Sequence, residues 1–193
     1  MDSVSYSLGV LMAQNLQQQG LTEIDPEQLA AGFAAALAND ETIDVAQCNA
    51  IVQSHMQKAA AEKGAEAREA GENFLAENGA RSEVTTTASG LQYEIIKPGN
   101  GIRPTATSNV TVHYHGTLID GTVFDSSVDR GEPTSFPLNR VIAGWTEGVQ
   151  LMPLGAKYRF FIPYNLAYGE QGSRGAIPPY AALIFEVELI SIN

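Results

Sequence analysis

The spacing of apolar residues changes near residue 85, and that change constrains this chain more than any other feature. Before it, apolar residues recur every three or four positions, the period of a helix; after residue 88 they alternate, the period of a strand. Val4, Leu8, Leu11, Met12 and Leu16 mark one helical face, with Gly20 as a stop. Asp25 as N-cap, Pro26 in the first turn and Glu27–Gln28 behind it predict a second helix, striped by Leu29, Phe33 and Leu37. Asp44 opens a third, with Val45, Cys48, Ile51, Val52 and Met56 on its inner face and Cys48 as a small core residue.

From Gln57 to Asn73, "QKAAAEKGAEAREAGEN" keeps helical propensity but loses every large apolar residue. With only alanines to offer a core, it reads as a solvent-exposed continuation of the third helix, bent at Gly64 and Gly71. A disordered linker is the alternative. Phe74 and Leu75 are placed to anchor its far end. The expected domains are therefore a helical region at 1–56, a connecting helix at 57–84 and a second domain at 85–193. About 55 helical residues are marginal for an independent core, so a homodimer through residues 1–56 is expected. A small monomeric bundle, or packing back on the second half, is the alternative.

In the second half "GLQYEIIKPG", "NVTVHYHGTL", "AKYRFFIPY" and "ALIFEVELISI" read as strands, and "IDGT" (119–122) as the turn of a hairpin. One short helix is expected, Thr146–Met152, closed by Pro153. The fold class is α+β, with an antiparallel sheet that carries one short helix on its face.

Charge excludes some partners. Acids outnumber Lys plus Arg by 22 to 11, and residues 1–88 hold 13 of the acids and only 4 of the bases. Neither nucleic acid nor an anionic membrane surface suits that balance, since both demand clustered Lys and Arg. No apolar run is long enough to span a bilayer. "MDSVSYSLGVLMAQNL" has an acid where a secretion leader carries bases, so a cytoplasmic protein is expected. One cysteine cannot close an internal disulfide, and no metal-type cysteine spacing occurs. His113 and His115 share a strand face, but two ligands without a third make a weak metal site.

The single tryptophan, Trp145 in "VIAGWTEGV", sits where the backbone turns into the short helix. By itself it reads as a core anchor or as the floor of a cavity. "VHYHGTLIDGTVFDSSVDR", "VIAGWTEGVQLMPLGAKYRFFIP" and "LAYGEQGSRGAIPPYAALIFEVEL", in that order and spacing, resemble the FKBP-type peptidyl-prolyl cis/trans isomerases over residues 89–193. The helical first half resembles the bacterial dimeric, two-domain members of that family.

The resemblance implies a half-wrapped antiparallel sheet around a short helix, with a hydrophobic pocket lined by Tyr114, Phe124, Asp125, Val141, Ile142, Trp145, Tyr168, Ile177 and Phe185. It implies Arg130 as the partner of the Asp125 carboxylate, and Asp125, Tyr168 and Phe124 as catalytic. Purely structural roles for Asp125 (an ion pair) and Tyr168 (packing) are the alternatives. Thr134 and Ser173 stand where many relatives have an aromatic residue and a histidine. The activity implied is rotation of Xaa-Pro bonds without metal or cofactor, in peptides and folding protein clients. Macrolides of the tacrolimus and rapamycin kind are implied as inhibitors, and a chaperone-like grip on clients by the helical half. A non-catalytic proline-binding module and a holdase chaperone are the rival readings.

Overall fold

A computed structural model describes residues 3–18, 21, 23–173 and 175–193. The expected stop at Gly20 lies outside the described residues. The chain divides into two compact units, Met1–Ala61 and Glu62–Asn193. The boundary falls inside a helix, away from the expected limits at 56/57 and 84/85.

The first unit holds α1 (Ser3–Gln18), α2 (Pro26–Ala38) and the start of α3 (Val45–Gly79). Its caps form as the sequence predicts. Asp25 Oδ1 accepts from the Glu27 and Gln28 amides at 2.8 and 3.2 Å, and Asp44 Oδ1 from the Gln47 amide at 2.7 Å. The stripes behave differently. Leu8, Leu11, Leu29, Phe33, Leu37, Ile51 and Val52 all remain exposed. Cys48, expected in a core, is exposed too. Three short helices with stripes this narrow bury little against one another.

In the second unit α3 runs on to Gly79 as the expected continuation of the third helix, and residues 57–73 are mostly exposed, but the expected spacer is corrected on one face. Gly64, Gly71 and Asn78 are buried, at seven-residue intervals along one face. The missing side chains are what allow the approach: a β-carbon on Gly71 would lie 3.1 Å from Cβ of Ala182. Phe74 packs on Phe161 at 5.9 Å between ring centres. Asn78 donates to Gln92 Oε1 at 2.8 Å, and Gln92 Nε2 donates to the Leu75 carbonyl at 2.8 Å. Arg81 reaches Glu94 at 2.7 Å, and Arg159 bonds the other oxygen of that nearly buried carboxylate.

The sheet comprises β1 (Thr85–Thr86), β2 (Gln92–Lys97), β3 (Asn109–Leu118), β4 (Val123–Ser126), β5 (Thr134–Pro137), β6 (Lys157–Ile162) and β7 (Leu183–Ile192). Strand order is β1-β2-β6-β7-β3-β4, with β5 also on β3, and every pairing is antiparallel. The Asp-Gly turn closes the β3–β4 hairpin, Gly121 taking φ +87° and the Leu118 amide donating to Thr122 at 2.9 Å. Three short elements escape the periodicity reading: β1, β5, and α4 (Ser127–Arg130), a single turn capped by Ser126. Two to four residues are too few to show a period.

Helix α5 (Ala143–Gln150) packs on the sheet, beginning three residues earlier and ending two residues earlier than expected. Gly144 and Gly148 bring it onto β6. Their β-carbons would lie 2.5 Å from Ile162 Cγ2 and 2.6 Å from Phe160 Cε1. Val110, Val112, Val149, Met152, Phe160, Ile162, Leu183 and Val187 fill the space between helix and sheet.

Candidate functional site

Trp145 follows Gly144 in α5 and lines a cavity beside the sheet. Trp145 is 5% exposed and lies between three rings. Tyr114 and Phe185 meet it edge-on at 5.3 and 5.1 Å, and Phe136 lies tilted at 5.4 Å. Its indole Nε1–H is buried and has no hydrogen-bond partner among the described residues. Above it opens a cavity of about 480 Å³, lined by Tyr114, Asp125, Thr134, Phe136, Arg140, Val141, Ile142, Trp145, Tyr168 and Phe185.

One side of this apolar cavity is charged. β4 carries Asp125, and α4 returns Arg130 beside it. The Tyr114 hydroxyl donates to Asp125 Oδ2 at 2.5 Å, Arg130 bonds Oδ1, and Arg130 also donates to the Tyr114 hydroxyl at 2.8 Å. The guanidinium stands 5.5 Å from the centre of the Tyr114 ring. Burial pushes the Asp125 carboxyl up, but the Tyr114 and Arg130 hydrogen bonds and the Arg130 charge outweigh it and hold the group below its ordinary value. Burial, followed by the Asp125 charge, raises the Tyr168 phenol. Asp125 is therefore an ion at neutral pH, and Tyr168 keeps the proton it can donate.

Ser127 ties α4 to the sheet: its fully buried hydroxyl accepts from the Tyr114 amide at 2.7 Å and donates to the Tyr114 carbonyl at 3.2 Å. On the outer face of β3, His113 and His115 pair with Ser127 and Ser126 at 3.1 and 3.0 Å.

The family described as "FKBP-type peptidyl-prolyl cis-trans isomerase" matches residues 101–190, and the "domain amino terminal to FKBP-type peptidyl-prolyl isomerase" matches residues 1–95. An Aeromonas hydrophila protein named FKBP-type peptidyl-prolyl cis-trans isomerase FkpA is 46% identical, across 99% of this chain and 74% of its own length. The chain belongs to the FKBP-type peptidyl-prolyl cis-trans isomerase family. The 22 kDa FKBP-type isomerase of Escherichia coli is 44% identical, covering 97% of this chain and 93% of its own. The crystal structure of FkpA from Escherichia coli matches with a TM-score of 0.83 at 34% identity, over 99% of this chain and 93% of that one.

Within this FKBP-type domain, Tyr114, Asp125, Val141, Ile142, Trp145, Tyr168 and Phe185 line the cavity. The other residues implied by the resemblance stand one step back. Phe124 meets Phe185 edge-on at 5.3 Å, Ile177 is 6% exposed within the core, and Arg130 grips Asp125. Phe136 and Arg140 line the cavity without having been singled out. The signal for Phe136 is its place in β5, opposite the inward Val110 of β3; a strand of four residues hides that alternation.

Proposed function

We propose that this peptidyl-prolyl isomerase rotates Xaa-Pro bonds in the cavity above Trp145, with Asp125 and Tyr168 as the polar groups beside the reacting amide. The arrangement that carries the reading is a tryptophan floor walled by three aromatic rings, with one clamped carboxylate at its edge. Rotation must break amide resonance, a barrier of ~18–20 kcal/mol, but it cleaves no bond and needs no proton transfer. The planar amide has more charge separation than the twisted one. An apolar cavity therefore favours the twisted form relative to the planar one, and each ~1.4 kcal/mol gained is tenfold in rate.

Tyr168, protonated, donates to a carbonyl of the bound peptide. The backbone of Val141 and Ile142 offers a further contact along the wall. Asp125 already accepts from Tyr114 and Arg130. It acts as a fixed negative group facing the twisted amide and donates no proton. A protease-coupled assay on a short Xaa-Pro peptide tests this: the wild type turns over well above background, and Asp125→Val, which removes the fixed negative group, falls by at least about tenfold. Full activity in that variant removes Asp125 from catalysis.

The helical unit is read as the homodimer interface and as a second grip on folding clients. Its exposed stripes support this, as does a groove of about 360 Å³ between α1 and α2 lined by Leu8, Met12, Leu29 and Phe33. Apolar patches of that kind mark interaction surfaces. Tacrolimus-like macrolides are proposed as inhibitors that occupy the same cavity, with Thr134 supplying less aromatic surface at the rim than many relatives do.

A further inference from the structure

The loop at the cavity mouth contains a conformation that the isomerase reading leaves unexplained. From Tyr168 the chain passes through the turn Gly169–Gln171, reaches Ile177 and Pro178–Pro179, and only then enters β7. Ser173 and Ile177 close its tip, the Ser173 amide donating at 2.9 Å and the Ile177 amide at 3.1 Å. On the return limb Tyr180 has φ +58°, in the left-handed region that a β-carbon disfavours. A residue persists there only where its surroundings over-determine it.

Those surroundings belong to α3 and to the turn beside Tyr168. A β-carbon on Gly64 would lie 3.1 Å from Cδ2 of Tyr180 and 3.5 Å from Cβ of Pro179, so the helix seats the ring directly. Tyr164 meets Tyr180 edge-on at 5.2 Å. One turn further along the same helix face, Arg68 stands 5.8 Å over the Tyr164 ring, with Glu72 holding its Nε at 2.8 Å. The Tyr180 amide donates to the carbonyl of Gly169 at 3.0 Å, and Gly169 follows Tyr168. A chain of contacts therefore runs from Gly64 through Tyr180 and Gly169 to Tyr168.

The geometry points to Tyr180, seated against Gly64 of α3, as a positioning residue that holds Tyr168 and the Gly169–Gln171 turn ready for the peptide around the proline. This inference rests on the isomerase reading above. Tyr180 does not line the cavity, so it touches neither the proline nor the rotating amide. It acts by ordering the loop in advance, which spares bound peptide that entropic cost. Its loss should then weaken peptide binding far more than it slows the bound step.

KM and kcat for a short Xaa-Pro peptide, measured separately on the full chain with melting midpoints in parallel, test the assignment. Tyr180→Gly suits the left-handed backbone and removes the ring; KM should rise about fivefold or more, with kcat within about twofold. Tyr180→Phe keeps the ring and loses only the hydroxyl's hydrogen bond to Glu170, so its KM should rise less than in Tyr180→Gly. Gly64→Val pushes on the ring from the helix side with the loop sequence intact, and should raise KM as Tyr180→Gly does. An unchanged KM in Tyr180→Gly or in Gly64→Val overturns the proposal. So does an equal loss in Tyr180→Phe and Tyr180→Gly, which would be the mark of general destabilisation. A wild type without turnover would instead sink the isomerase reading itself.

Discussion

Asp125 gathers most of the electrostatics of this cavity into one side chain. Its carboxyl lies below the ordinary value because Tyr114 and Arg130 together overcome the effect of burial. A folded-state pKa lowered in this way stabilises the fold at pH values above the ordinary carboxylate range. That contribution is lost as pH falls through the lowered value. Thermal melts from neutral pH down to about pH 2.5 should show wild type and Asp125→Asn converging at the acid end. Arg130→Ala removes one of the downward influences, so its acid loss should begin at a higher pH than in wild type. Trp145, the only tryptophan in the sequence, reports on the same cavity. Its emission should change when a proline peptide or a tacrolimus-like macrolide binds, and an unresponsive signal would make it a packing residue alone.

Two helices achieve close packing by the same means. In α5, Gly144 and Gly148 touch Ile162 and Phe160, while in α3 Gly64 and Gly71 touch Tyr180 and Ala182. The α5 approach is the tighter, with β-carbons 2.5–2.6 Å from their neighbours against 3.1 Å in α3. Gly148→Ala therefore forces α5 off β6. Overpacking of about 1–3 kcal/mol outweighs a helix-propensity gain of about 1 kcal/mol. Its melting midpoint should fall by several degrees, and peptide turnover should fall with it because Trp145 moves with the helix. An unchanged midpoint would show that the sheet gives way at no cost. The sequence pattern made α5 and the continuation of α3 legible but missed the packing face of α3, because a hydrophobic stripe was sought where that face is built from absent side chains.

At the scale of the whole molecule, the two units differ in how they satisfy their apolar residues. The second buries an aromatic and aliphatic core within one chain. The first leaves Leu29, Phe33, Leu37 and Ile51 exposed, as a surface awaiting a second copy would. Light scattering on the full chain should report a dimer. Phe33→Asp should shift it toward monomer, leave turnover of a short peptide close to wild type, and reduce refolding of a protein client that needs the second grip. A Phe33→Asp chain that remains dimeric would remove the α2 stripe from the interface.

The sequence alone determined the helix-then-strand order, the caps at Asp25 and Asp44, the β3–β4 turn and the motifs that carry the family resemblance, because each rests on local spacing or on a contiguous motif. Tertiary structure alone decided where Phe136 and Arg140 sit, that Ser127 fastens α4 to Tyr114, and that α3 from Glu62 onward belongs with the sheet. These depend on contacts between residues far apart in the chain, and on glycines whose purpose shows only in what approaches them. Trp145 lies between the two cases: its motif marked it as a cavity floor, but only the packed fold shows the three rings that make that floor a box.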